Sequence, residues 1–185
     1  PYSSEDAKGL IKAAIRDPNP VVVLEHELMY GIEFPVSDEI MSEDYVTPLG
    51  KAKIEREGTD ATIVTFSRQV GFSLDAAEAL SKEGLSVEVI NLLSLRPLDR
   101  DAIINSVKKT NRLITVEEGW PHCGIGAEIS AIVMETDAFD YLDAPVERVT
   151  GADVPMPYAI NLEQAAIPQV ETICEAVRKT CNVQL

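Results

Sequence analysis

The chain has 185 residues, of which 45% are apolar and 25% are charged, and these proportions are typical of folded globular proteins. Lys and Arg number 16 against 31 Asp and Glu residues, so the net charge of −15 argues against nucleic acid as a partner. The aliphatic run from Val21 to Leu24 is far shorter than the roughly 18 to 20 apolar residues that a membrane-spanning helix needs, so no membrane partner is expected.

The first thirty residues have the pattern of the last helix and the last strand of a domain. An apolar stripe at helical spacing predicts a helix from about Ser4 to Arg16. The prolines of the segment 17–20 end this helix, because proline lacks an amide donor and excludes helical geometry before it. The β-branched run 21–24 then predicts a strand covered on both faces. Residues 31–48 are acidic and aperiodic, which is typical of a linker.

Beyond the linker, strand and helix patterns alternate. Strands are predicted near 51–57, 61–66, 87–93, 113–116 and 147–150. Helices are predicted around Leu74, Ala77 and Leu80 up to Gly84, after the cap Asp99, from 124 to 134, and from 167 to 181. This alternation predicts an α/β domain with a mostly parallel sheet covered on both faces.

The predicted loop after the third buried strand contains several candidate site residues. The acidic residues of 117–120 lie where open α/β sheets place ligands, and Trp120 predicts either an interface or a plug in a domain seam. The glycines of 124–126 open a helix, and they could bind an anion or allow close packing. A metal site at His122 and Cys123 is disfavoured, because adjacent side chains diverge.

The end of the first predicted helix is a candidate cation site. It leaves unpaired carbonyls at Ala14, Ile15 and Asp17, and Asn19 adds an amide oxygen beside them. Clustered oxygens of this kind bind hard cations, although a solvated helix terminus is the simpler interpretation on physical grounds alone.

The C-terminal part of the chain is strongly acidic. Between Glu128 and Glu175 ten acidic residues accompany a single base, Arg148. Such a surface attracts basic partners and accelerates their association, and a merely solvated acidic face is the alternative.

Five stretches of the chain resemble one protein family. They are PVVVLEHELMYG at 20–31, GKAKIEREG at 50–58, EVINLLSLRPLD at 88–99, TVEEGWPHCGIGAEI at 115–129 and LDAPVERVTGADVPMPYA at 142–159. The family is that of the beta subunits of the thiamine-diphosphate-dependent decarboxylase in 2-oxoacid dehydrogenase complexes, in its mitochondrial pyruvate dehydrogenase branch. The resemblance covers the whole chain.

The resemblance implies a domain organisation and an activity. Residues 1–30 would end a pyrimidine-binding domain, 31–48 would be the linker, and 49–185 would form a transketolase-type C-terminal domain, a three-layer α/β/α unit with a five-stranded mixed sheet. In the family, intact subunits form an α2β2 heterotetramer in the mitochondrial matrix with an alpha subunit. This assembly decarboxylates pyruvate on thiamine diphosphate with magnesium and passes the acetyl group to the lipoyl arm of the acyltransferase, which feeds acetyl-CoA synthesis.

The resemblance also implies site residues. No catalytic or cofactor-binding residue falls in this segment, because the family's glutamate for the cofactor lies upstream and its magnesium and diphosphate ligands belong to the alpha subunit. Oxygens at the positions of Ala14, Ile15, Asp17 and Asn19 would bind potassium. An acid at Asp143 and a terminal carboxylate, here that of Leu185, would bind the basic subunit-binding domain of the acyltransferase.

Two other functions remain open at the level of sequence. The polypeptide could be a non-catalytic assembly module, since it contains the docking domain without the cofactor ligands. It could also be the equivalent part of branched-chain 2-oxoacid dehydrogenase or of transketolase, which share the C-terminal domain.

Overall fold

A five-stranded sheet organises the computed structural model, which describes residues 1–182. Its strands are β1 (Lys53–Arg56), β2 (Ala61–Thr65), β3 (Val87–Asn91), β4 (Leu113–Val116) and β5 (Glu147–Val149). The spatial order is β1-β3-β2-β4-β5, in which β1 runs antiparallel to β3 and all other neighbours are parallel. The predicted α/β fold with a mixed, mostly parallel sheet is therefore confirmed.

Helices cover both faces of the sheet. The helices are α1 (Ser4–Arg16), α2 (Asp38–Met41), α3 (Gln69–Ser81), α4 (Arg100–Thr110), α5 (Ile125–Met134), α6 (Ile160–Ala166) and α7 (Val170–Thr180), with 3-10 turns at Glu27–Met29 and Asp137–Tyr141. Of these, α3 and α7 cover one face of the sheet and α4 and α5 the other. Within residues 1–182, no helix combines the length and hydropathy needed to cross a membrane.

The sheet separates two apolar cores. Side chains alternate along each strand, so Ile63 packs with α3 and α7 on one face while its neighbour Val64 packs with α4 and α5 on the other. The strands β2, β3 and β4 are buried at every position, as parallel strands covered on both faces must be.

Side-chain capping explains where α1 and α4 begin. The Asp6 amide donates to the Ser3 hydroxyl at 3.1 Å, and the Ser3 amide donates to the Asp6 carboxylate at 3.0 Å. The same carboxylate accepts a hydrogen bond from Asn91 at 3.2 Å, which attaches α1 to the end of β3. Asp99 accepts the Ala102 amide at 3.3 Å, so it caps α4 as its position predicts.

Three expectations from the sequence need correction. The run 21–24 belongs to none of the strands among residues 1–182, and Val22 and Leu24 are 82% and 71% exposed, because the segment lies at the ends of the central strands and not along the edge strands β1 and β5. The closing helix begins at Val170, since Pro168 cannot continue a helix and α6 precedes it as a separate element. The linker contains α2, in which Ile40 is 3% exposed.

A buried carboxylate links α4 to the sheet. Glu88 in β3 is fully buried and accepts hydrogen bonds from the Ser106 hydroxyl and the Lys109 ammonium. Lys109 also donates to Glu57 at 3.0 Å. Partial burial alone would lower the pKa of Lys109, but the hydrogen bonds to Glu88 and Glu57 outweigh it and raise the pKa of Lys109.

We expect Lys109→Met to lower the free energy of unfolding by about 2 to 4 kcal/mol, because it leaves the Glu88 carboxylate without its cation. This is less than the roughly 3 to 5 kcal/mol for a fully buried pair, since Lys109 is 40% exposed. Lys108→Met is the matched control, because Lys108 pairs at 2.7 Å with Asp137, which is 67% exposed, and such pairs contribute about 0 to 1 kcal/mol. Equal losses for the two variants in urea denaturation would contradict the assignment.

Candidate functional site

The carboxyl ends of the parallel strands form a cleft. The chain leaves β2 toward α3 on one face of the sheet and leaves β4 toward α5 on the other, so a topological switch point lies between these adjacent strands. Open α/β sheets bind ligands at such points. A cavity of about 570 Å³ lies here, within the size range of ligand sites, between the loops after β2, β3 and β4 and the segment 20–26.

Glu118 connects three parts of the chain at this cleft. Its carboxylate lies 2.8 Å from Nε2 of His26, 3.0 Å from Nε2 of Gln69 and 3.4 Å from Nη1 of Arg68. Nδ1 of His26 accepts the Leu28 amide at 3.3 Å, so Nε2 carries the proton that is donated to Glu118. Glu118 therefore attaches the N-terminal segment to the start of α3.

Glu117 occupies the start of α5. Its carboxylate is 4% exposed and accepts the Ile125 amide at 3.0 Å and the Gly126 amide at 2.9 Å. A Cβ at Gly124 or at Gly126 would approach this carboxylate to 2.6 Å or 2.9 Å. Close packing therefore explains the glycines, and an internal carboxylate takes the place that an external anion would need.

The loop after Glu118 is exposed. Trp120 is 55% exposed and donates its indole N–H to the Val154 carbonyl at 3.0 Å, so it ties two loops together at the surface. His122 and Cys123 are also exposed. Among residues 1–182 no group of three or more His, Cys, Asp or Glu side chains is arranged to bind a metal.

The structure brings the four predicted potassium ligands together at the end of α1. Pro18 has no amide hydrogen, and the Asn19 amide donates to the Asp17 side chain at 2.8 Å, so the carbonyls of Ala14 and Ile15 receive neither of the hydrogen bonds that would continue the helix. The Asn19 side chain also donates to Asp17 at 2.9 Å.

The resulting oxygen set is chemically suited to a hard cation. Hydrogen bonds from the backbone and the side chain of Asn19 lower the pKa of Asp17, which keeps its carboxylate ionised. Two carbonyl oxygens and one carboxylate therefore lie within a single turn, and Asp17 and Asn19 also border the cleft.

Asp143 lies at the opposite end of the sheet from the cleft, where the parallel strands begin. Its side chain is 54% exposed, and its carboxylate lies 3.3 Å from Nη2 of Arg112, the residue before β4. Its backbone N–H donates to the Asn111 carbonyl at 2.9 Å. Leu185, the second predicted docking residue, lies outside the described residues.

Bases from other parts of the chain partly neutralise the acidic C-terminal stretch. Bases outside the stretch pair with four of its acids: Arg100 with Glu135, Lys108 with Asp137, Arg112 with Asp143, and Lys179 with Glu147. The stretch keeps an excess of acids, because the other six of its ten acids are accompanied by a single base, Arg148, and attraction of a basic partner stays a prediction.

Sequence reasoning missed Arg112 and the connecting role of Glu118. Arg112 precedes β4 and Asp143 precedes β5, and nothing in the sequence indicates that these two strands are neighbours. The contact of Glu118 with His26 spans 92 positions, so local patterns could not indicate it.

Most of the chain matches a known domain family. A family model described as "Transketolase, C-terminal domain" matches residues 50–173. Among solved structures, one titled "Split gene transketolase, inactive beta4 tetramer" is similar with a TM-score of 0.65 and 26% identity, over 78% of this chain and 45% of that one.

Three relatives are similar over nearly the full chain. The mitochondrial protein of Oryza sativa subsp. japonica named pyruvate dehydrogenase E1 component subunit beta-1 is 64% identical over 98% of this chain and 48% of its own length. The mitochondrial E1 beta subunit of Saccharomyces cerevisiae is 62% identical over 100% of this chain and 50% of its own. That of Caenorhabditis elegans is 61% identical over 99% and 52%.

These similarities agree with the five motifs in the sequence. The chain spans about half the length of the relatives it matches. The family model covers all five strands and the helices α3 to α6. The resemblance to pyruvate dehydrogenase beta subunits is thus confirmed, and the chain belongs to the transketolase C-terminal domain family.

Proposed function

We propose that this chain is the C-terminal part of the beta subunit of a mitochondrial pyruvate dehydrogenase, and that it serves subunit assembly and docking. The observation that carries the proposal is the identity of 61 to 64% over nearly all of the chain with beta subunits of that enzyme. Residues 1–30 then end the pyrimidine-binding domain, 31–48 link the domains, and 49–185 form the C-terminal domain.

The intact enzyme acts on pyruvate in the mitochondrial matrix together with an alpha subunit, in an α2β2 heterotetramer. Thiamine diphosphate, held with magnesium, supplies the nucleophile and the electron sink for decarboxylation. No residue of this chain is assigned to that chemistry. The contribution of this chain is structural: Glu118 attaches the N-terminal segment to the sheet, and the opposite edge presents Asp143 to the acyltransferase.

We expect the isolated 185-residue chain to release no carbon dioxide from pyruvate and to bind thiamine diphosphate weakly or not at all. A full-length beta subunit containing it should be active only with its alpha partner. The measurement is decarboxylation of labelled pyruvate, with a branched-chain 2-oxoacid as the competing substrate. Turnover by the isolated chain would contradict the proposal. Preference for the branched-chain acid would favour the branched-chain 2-oxoacid dehydrogenase. Docking without turnover in the full assembly would favour the non-catalytic assembly module.

Potassium at the end of α1 is the second part of the proposal. An ion bound only by the folded state stabilises it by mass action, so potassium should raise the melting temperature of the full subunit more than sodium does at equal ionic strength. Asp17→Ala should abolish this difference, because it removes the only carboxylate among Ala14, Ile15, Asp17 and Asn19.

The control for this experiment is Asp44→Ala, which removes an exposed acid of the linker. It should retain the potassium-dependent shift of the parent. If Asp17→Ala and Asp44→Ala respond alike to potassium in differential scanning calorimetry, the site is misplaced.

The third part is docking of the basic subunit-binding domain of the acyltransferase at Asp143. Asp143→Ala should raise the dissociation rate about tenfold or more, because truncating one partner of a central charge pair acts on dissociation. Glu135→Ala should change it less than about fivefold, since Glu135 is 69% exposed. Surface plasmon resonance at two salt concentrations provides the measurement, and equal dissociation rates for Asp143→Ala and the parent would refute the anchor.

A further inference from the structure

The proposed docking residue already faces a cation of its own chain. We propose that Arg112 competes with the incoming basic partner for Asp143 and thereby sets how tightly the partner docks. This inference rests on the proposed docking function and names a residue that adjusts it.

Arg112 and Asp143 form an ion pair that is longer than a charge-assisted hydrogen bond. Nη2 of Arg112 lies 3.3 Å from Oδ2 of Asp143, whereas charge-assisted hydrogen bonds between such groups are about 2.7 to 2.9 Å long. A carboxylate can accept several hydrogen bonds through its two oxygens. Asp143 is 54% exposed, so a second cation can reach it while Arg112 stays in place.

Arg112 is not needed to hold Asp143 in position. The backbone N–H of Asp143 donates to the Asn111 carbonyl at 2.9 Å, so a main-chain hydrogen bond fixes this residue. The charge of Arg112 therefore acts on Asp143 mainly by attracting its carboxylate and by repelling another cation that approaches it.

Arg112 itself is held in place. Its Nη1 donates to the Asp60 carbonyl at 3.2 Å, and its side chain is 25% exposed. Its own carbonyl accepts hydrogen bonds from Thr62 at 2.9 Å and Thr110 at 3.2 Å. The hydrogen bond to the Asp60 carbonyl restrains the guanidinium beside Asp143. A docking cation must therefore share the Asp143 carboxylate with Arg112.

The same edge offers a matched control. Lys179 pairs with Glu147 at 2.8 Å and is 70% exposed, and it makes no contact with Asp143 among the described residues. Lys179→Gln and Arg112→Gln each remove one positive charge from this edge. Only the second variant removes the cation that faces the docking carboxylate.

The experiment measures binding of the full chain to a purified subunit-binding domain of a dihydrolipoyl acyltransferase by isothermal titration calorimetry. We expect Arg112→Gln to bind roughly two- to fivefold more tightly than the parent, the range set by exposed ion pairs. Lys179→Gln should change the affinity less than Arg112→Gln does, because the Lys179 ammonium pairs with Glu147 and not with Asp143. The gain from Arg112→Gln should disappear in an Asp143→Asn background.

The outcomes separate this inference from the function on which it rests. If the parent does not bind the domain, or if Asp143→Asn does not weaken binding, the docking function itself fails. If docking at Asp143 holds but Arg112→Gln equals Lys179→Gln or weakens binding, Arg112 is no competitor. Melting curves verify folding, and Arg112→Lys, which keeps the charge, should bind as the parent does. Should Arg112→Gln not fold, Arg112→Met carries the same test, because it keeps the aliphatic stem.

Discussion

The parallel pairing of β2 with β4 determines which side chains meet at either end of the sheet. In this register Thr62 lies opposite Leu113 and Thr65 opposite Val116. The residues that follow these strands must then be neighbours, which brings the start of α3 to Glu118 at the cleft. The residues that precede them are neighbours too, which places Arg112 beside the Asp60 carbonyl.

Elements with strong local signals could be predicted from sequence. The bounds of α1 follow from a cap before its apolar stripe and from prolines after it, and β4 follows from four consecutive β-branched or aliphatic residues. The fold class follows from the alternation of such elements. The motifs of the family were equally local, since each is a continuous run of residues.

Features that depend on distant partners could not be predicted. The run 21–24 has the composition of a strand, yet a strand forms only alongside another strand, and this segment lies at the ends of the central strands of the described sheet. The capping of α5 by Glu117 and the pairing of Arg112 with Asp143 depend on the strand order. The four predicted potassium ligands are close in sequence, so their proximity follows from the chain itself, whereas the pairing of Asp143, the proposed docking residue, with Arg112 does not.

The strands also act as spacers between the two edges. Four or five residues at about 3.3 Å each separate the cleft from Asp143 by about 13 to 17 Å. This exceeds the screening length of about 8 Å at physiological ionic strength. Exposed charges at the two ends of the sheet therefore interact only weakly through the solvent, so changing the exposed Asp143 carboxylate should leave the hydrogen bonds of Glu118 at the cleft unchanged.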